Sequence, residues 1–165
     1  MDRTAADAYL NRIGAAPVDQ PDLQTLRRLQ YQHLLTVPFE NLSIHLGEPI
    51  HLDEDALFEK VVGRRRGGFC YELNGAFAML LTALGYRVSY LAARVFSGKV
   101  PGPPLDHLAL RVDLDRPYLV DVGFGALSNH PLLLDSRNEQ HDRAGRFRLA
   151  AVESGEVDLL MNDKP

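Results

Sequence analysis

The spacing of apolar and polar positions changes character near the middle of the chain. Up to residue 85 the apolar positions recur at helical intervals. Residues 3–13 run into Gly14, a helix-ending residue. Residues 21–35 open with Pro21, carry Leu23, Leu26, Leu29 and Leu34 at roughly helical spacing, and are stopped by Pro38. The stretch 39–52 (FENLSIHLGEPIHL) has no clear period and reads as a packed, irregular connection. Asp53 is placed to cap a helix through Val62, with Gly63 as its stop. Residues 70–84 (CYELNGAFAMLLTAL) predict the fourth and most apolar helix, closed by Gly85. A helix apolar all round is central and buried.

Beyond residue 86 the helical period is lost. Short runs rich in strand formers, 87–96, 107–114, 116–123, 147–154 and 157–162, are separated by turn residues. Residues 97–106 (SGKVPGPPLD), with three prolines and two glycines, predict a loop. The order is that of an α+β fold, with a helical bundle over 1–85 followed by an antiparallel β unit over 86–165. The last strand stops at Met161 or Asn162 and would leave an unpaired edge, so the chain is expected to be unfinished.

Composition narrows the class. The 165 residues are 45% hydrophobic and 24% charged, enough for one domain or two small ones with a buried core. Net charge is −4, and the one dense basic run, Arg64-Arg65-Arg66, is too short for a nucleic-acid surface. The polar N-terminus lacks the apolar stretch of a secretory signal, and no segment approaches the ~20 apolar residues of a membrane helix. A single cysteine excludes an internal disulfide, and no Cys/His cluster has zinc spacing. The expectation is a soluble cytoplasmic protein with no metal and with neither nucleic acid nor membrane as partner.

A lone cysteine is more often a small buried hydrophobe than a nucleophile. Three features favour the second reading for Cys70. It follows the cationic, flexible-looking RRRGG segment, and it stands at the start of the 70–84 helix, whose dipole favours a thiolate. Gly67 and Gly68 would also leave room for another group to approach the sulfur. A base is then needed. His33 lies within a helix, where a partly exposed polar face is the ordinary reading. His45, His51, His130 and His141 fall in irregular segments, where solvated histidines are common. His107 opens a strand. If Leu108, Leu110 and Val112 face Tyr118, Val120 and Val122, then His107 and Asp121 share the opposite face. A three-residue turn centred on Leu114 sets them directly across from each other, with Asp121 taking the Nδ1 proton and Nε2 left for the thiol. A surface cross-strand ion pair is the alternative. Gly123-Phe124-Gly125 then forms a tight turn whose N–H groups could meet phosphate or oxyanion groups, with Phe124 a core anchor or a pocket wall.

VPFENLSIHLG (37–47), RRRGGFCYELN (64–74), DHLALRV (106–112) and YLVDVGFG (118–125) together resemble the arylamine N-acetyltransferases, in order and spacing and over essentially the whole chain. The resemblance implies a helical bundle, a β-barrel and a lid around a cysteine-proteinase-like catalytic core. It also implies a ping-pong transfer of acetyl from acetyl-CoA, a substrate rather than a tightly bound cofactor, to an arylamine, hydrazine or arylhydroxylamine. Carried over by motif, Cys70 is the acetylated nucleophile, His107 the base and Asp121 the acid that holds it. Phe39 and Phe124 would line the acceptor pocket, Gly125 would lie near the pantetheine, and Glu40 and Arg66 would form a structural ion pair. An Arg66 acting on the thiolate by charge alone stays open. Family members usually run well past 165 residues, so the lid and part of the barrel are expected to be absent. The proline-rich stretch before His107 departs from relatives with polar cofactor contacts there, and no cofactor position is transferred onto it. The assembly state is open, a homodimer included. Three alternatives remain: a papain-like or transglutaminase-like use of the same triad, an amide synthase or N-malonyltransferase with the same motifs, and a truncated inactive binding form.

Overall fold

A computed structural model describes residues 1–98, 100–152 and 156–164. Lys99 of the predicted loop, Glu153 and Ser154 at the end of the 147–154 run, Gly155, and Pro165 lie outside the described residues.

Three of the helices start at an aspartate whose side chain caps them. Asp2 accepts the Ala5 N–H and opens α1 (Arg3–Arg12); Asp22 accepts the Thr25 N–H at 2.7 Å and opens α2 (Leu23–Thr36). The connection expected to be irregular contains a short helix, α3 (Leu42–Leu46), ended by Gly47 at φ 67°. Asp53 caps α4 (Glu54–Phe58) as expected, but the helix widens into a π-type turn over Glu59–Gly63. The last helix, α5 (Cys70–Ala83), buries ten of its fourteen residues, so its all-round apolar sequence does mark a central position. Phe77, Leu80 and Leu81 are fully buried, each contributing roughly 1.5–3 kcal/mol by removal from water.

The strands are β1 (Arg87–Ala93), β2 (Phe96–Ser97), β3 (Val100–Pro101), β4 (His107–Asp113), β5 (Pro117–Val120), β6 (Leu132–Leu133), β7 (Gln140–Asp142), β8 (Gly145–Ala151) and β9 (Val157–Met161). They form antiparallel ladders in the orders β1-β4-β5-β6, β2-β3 and β7-β8-β9. Thus the predicted 97–106 loop contains a very short hairpin, and the 87–96 run is broken between β1 and β2. Strands β6 and β7, two and three residues long, are too short to stand out in the sequence.

One core joins helices to sheet: Tyr9, Leu26, Leu29, Phe77 and Leu80 pack in the same cluster as Leu110, Val112, Tyr118 and Val120. A second, smaller core of Leu132, Phe147 and Leu149, with Leu119 packed against it, holds the later ladder to the first. The β4–β5 register pairs Leu110 with Val120 and Asp113 with Pro117, so the turn is centred on Asp115 rather than Leu114. Leu114 packs against the main core and its N–H reaches the Arg116 carbonyl at 3.1 Å, which moves the bend one residue on. The pairing therefore shifts by two positions. Because strand side chains alternate with period two, every residue keeps its predicted face.

Candidate active site

Cys70 is the first residue of α5, and the start of that helix is fixed by a buried ionic cluster. Glu72 accepts the Phe69 N–H with one oxygen and Lys60 Nζ, at 2.6 Å, with the other. Lys60 also reaches Ser43 Oγ at 3.3 Å and lies 3.8 Å from Glu40. The family resemblance implies Glu40 and Arg66 as a pair. They do meet, through two nitrogens at 3.0 and 3.2 Å, and Arg66 further engages Ser43 and Glu48. The glycines before Cys70 have a different purpose from the one expected. A Cβ on Gly67 would run into the Pro38 carbonyl and one on Gly68 into Glu72, so both glycines permit close packing behind the helix start. The basic segment is likewise held in place: Arg12, itself buried, donates to the carbonyls of Val61, Thr36 and Arg65.

His107 and Asp121 lie two positions off direct opposition, a diagonal that leaves Cβ atoms about 7 Å apart. The imidazole spans that gap with its more distant nitrogen: Nε2 is 2.6 Å from Asp121 Oδ2. This reverses the nitrogen assignment expected from direct opposition, and Nδ1 is the nitrogen left for the thiol. The two residues are 6% and 4% exposed, so they are no surface ion pair. Asp121 Oδ1 accepts two further hydrogen bonds, from the Gly123 N–H at 2.8 Å and from Asn74 Nδ2 at 2.9 Å. Gly123 itself must be glycine, because a Cβ there would sit 2.7 Å from the Cα of Cys70.

The electrostatics favour an ion pair between thiol and ring. Burial works against ionising Cys70, but hydrogen bonds from His107 and the Leu108 backbone, with the imidazolium charge, more than offset it and lower the thiol pKa. Burial likewise opposes charge on His107. Hydrogen bonds to Asp121 and Cys70, and their negative charges, overcome it and raise the imidazole to about 9. The two shifts run in opposite directions and reinforce each other, which favours the thiolate–imidazolium form of the pair over the neutral one.

Phe124 lies edge-on to His107 with ring centroids 5.3 Å apart, at 39% exposure. It borders a cleft of about 140 Å³ with Gly125, Tyr31, Leu34 and Leu35. Phe39 is half exposed and is not part of that cleft wall; its backbone bridges to Gly68, two residues before the cysteine. Among the other histidines, His45, His51 and His141 are exposed and His130 is half-buried. His33 is the exception to its expected half-exposure: α2 turns it inward, fully buried, 3.0 Å from the Tyr9 hydroxyl and against Phe77. Asn74, Lys60 and Glu72 were not singled out from sequence. The available signal was a glutamate and an asparagine inside an otherwise apolar helix, within one turn of the only cysteine. Among the described residues no cluster of three or more His, Cys, Asp or Glu is placed to hold a metal, and no helix is long and apolar enough to cross a membrane.

An α+β chain that sets thiol, imidazole and carboxylate in a row at the end of a buried helix has the layout of a thiol-dependent acyl-transfer enzyme. A family model described as N-acetyltransferase matches residues 22–164. The chain is 41% identical to the arylamine N-acetyltransferase / N-hydroxyarylamine O-acetyltransferase of Salmonella typhimurium over 145 residues, covering 86% of this chain and 52% of that protein. It is 42% identical to the arylamine N-acetyltransferase of Mycolicibacterium smegmatis, covering 86% and 54%. The solved Salmonella typhimurium arylamine N-acetyltransferase superimposes with a TM-score of 0.87 at 37% identity, over 93% of this chain and 57% of that one. The Mycobacterium marinum enzyme in complex with CoA gives 0.84 at 38%, over 93% and 59%. The chain belongs to the arylamine N-acetyltransferase family. It spans about half the length of the curated relatives it matches.

Proposed function

We propose that this protein transfers acetyl from acetyl-CoA to an arylamine or hydrazine through a thioester on Cys70. The observation that carries the reading is the buried His107 ring, bound by Asp121 at 2.6 Å and lowering the pKa of the Cys70 thiol beside it. In the first step the Cys70 thiolate attacks the thioester carbonyl. The bond to the coenzyme A sulfur breaks, and that sulfur takes the Nδ1 proton from His107. Asp121 keeps the Nε2 proton in place throughout, which fixes the tautomer. The exchange replaces one thioester by another and is near balance. In the second step the acceptor nitrogen attacks the acetyl carbonyl, His107 Nδ1 takes a proton from that nitrogen, and the Cys70 thiolate leaves, restoring the ion pair.

Aromatic amines are largely unprotonated at neutral pH, so an imidazole suffices as base. Phe124 supplies an apolar wall beside His107 for an aryl ring, and Gly125 keeps the rim of the cleft open, since a Cβ there would meet no neighbour. Phe39 would reach the acceptor from the Gly68 side. The family membership and the CoA complex of the Mycobacterium marinum relative support acetyl-CoA as donor. Intact-mass measurement after incubation with acetyl-CoA tests the proposal. One acetyl adduct is expected, absent in Cys70→Ser and discharged by an added arylamine. A chain that stays unmodified at millimolar acetyl-CoA would overturn it, and an adduct formed from malonyl-CoA in preference to acetyl-CoA would reassign the acyl group.

A further inference from the structure

We infer that Asn74 is a positioning residue for this site: its carboxamide fixes the rotation of the Asp121 carboxylate, so that Oδ2 and not Oδ1 is presented to His107. The inference rests on the proposed roles of Cys70, His107 and Asp121. Asn74 lies four residues after Cys70 on α5, hence on the same face of the helix one turn further in. It is fully buried, a poor choice for a helix interior on propensity alone. Its carboxamide nevertheless has every polar atom engaged. One Nδ2 hydrogen goes to Asp121 Oδ1 at 2.9 Å, the other to the Leu108 carbonyl at 2.7 Å, and Oδ1 accepts the Val122 N–H at 3.0 Å.

The three partners matter by their position. Leu108 follows His107, and Val122 follows Asp121. One side chain on the cysteine's helix therefore grips the backbone next to the base, the backbone next to the acid, and the acid itself. A carboxylate whose Oδ1 is held by Asn74 and by the Gly123 N–H has a single rotation open to it, and that rotation aims Oδ2 at Nε2. Without the Asn74 donor the carboxylate is free to turn toward the remaining N–H, and the ring loses its fixed orientation toward the thiol. The titratable groups around the thiol are His107 on β4 and Asp121 just past β5. Glu72, with its partner Lys60, lies two residues from Cys70 on α5, on the far side of the first turn.

The test is the rate of Cys70 alkylation by iodoacetamide across the pH range, read as the midpoint of the profile, with circular dichroism to verify folding. In Asn74→Ala the midpoint should rise by about one pH unit, a tenfold loss of thiolate on the rising limb. Asn74→Asp keeps the size and the acceptor for Val122 but has no hydrogen to give Asp121, and it should raise the midpoint at least as far; it decides the matter if the alanine variant does not fold. In an Asp121→Ala background, adding Asn74→Ala should move the midpoint no further, because both act through one carboxylate. A folded Asn74 variant with the parental midpoint, or a full additional shift in the double variant, overturns the inference. A parental midpoint equal to that of free cysteine would instead sink the proposed triad, so the two failures are distinguishable.

Discussion

Replacing Lys60 by methionine keeps the length and apolar stem of the side chain but removes the ammonium that neutralises Glu72. The two side chains are only 7% and 4% exposed, so no water can replace the lost partner. Breaking a buried ion pair from one side costs about 3–5 kcal/mol, because the remaining charge is left uncompensated. Two features hold the cost near the lower end. Glu72 keeps the Phe69 N–H, and Glu40 keeps Arg66. A loss of about 3 kcal/mol, with a urea m-value of about 2–3 kcal/mol/M, lowers the midpoint of urea unfolding by about 1 M. The diagnostic variant is Lys60→Met with Glu72→Gln. Glutamine still accepts the Phe69 N–H but brings no charge, so the pair of changes should recover at least half of the lost stability. A Lys60→Met midpoint within about 0.3 M of the parent, or a double variant no more stable than the single one, would refute the argument that an uncompensated charge sets the cost.

Three other outcomes are expected. Gly123→Ala forces a methyl against the Cα of Cys70 and Asn74 Nδ2, each 2.7 Å away, so unfolding measurements should show a loss of about 1–3 kcal/mol and alkylation of Cys70 should slow. His33 is held to about 3, first by burial and then by the charge on Arg12. Its folded value lies below the ordinary one of 6.5, so the stability it contributes is complete above that pH and is lost as pH falls toward 3, at up to about 1.4 kcal/mol per unit. His33→Gln, which can still accept from Tyr9, should flatten the slope of urea midpoint against pH between 6 and 4. Asp121→Asn leaves His107 without the charge that helps raise it, so its titration, followed by NMR, should fall from about 9, and acetylation of Cys70 should drop by orders of magnitude. An unmoved histidine titration would contradict the coupling drawn between the two.

The helices and main strands were legible because caps, glycine stops and periodicity agreed with one another over long runs. The parity of the 107–122 hairpin was legible as well, since facing Leu110 and Val112 toward Tyr118 and Val120 leaves His107 and Asp121 together on the other side. Register was less so: it depends on where Leu114 settles in the core, a tertiary fact that the hairpin sequence does not carry. The reversed imidazole follows from that same two-position offset. Glycines 67 and 68 looked like openings because a sequence does not reveal that Pro38 and Glu72 fill them. The buried Lys60–Glu72 pair and the inward-facing His33 were hidden for a related reason, as charged and titratable side chains normally stay at the surface unless partners distant in the chain meet them.

The proposed nucleophile opens α5, whereas its proposed base and acid lie on β4 and just past β5, later in the chain. On the ribosome, Cys70 therefore emerges while the base and acid have yet to be synthesised, and it meets the cell as an ordinary, mostly protonated thiol. Under the proposed mechanism, reactivity arrives only when the β4–β5 hairpin docks against α5, so a newborn or half-opened chain is spared indiscriminate modification. Maturation of the sulfur and docking of that hairpin are then the same event.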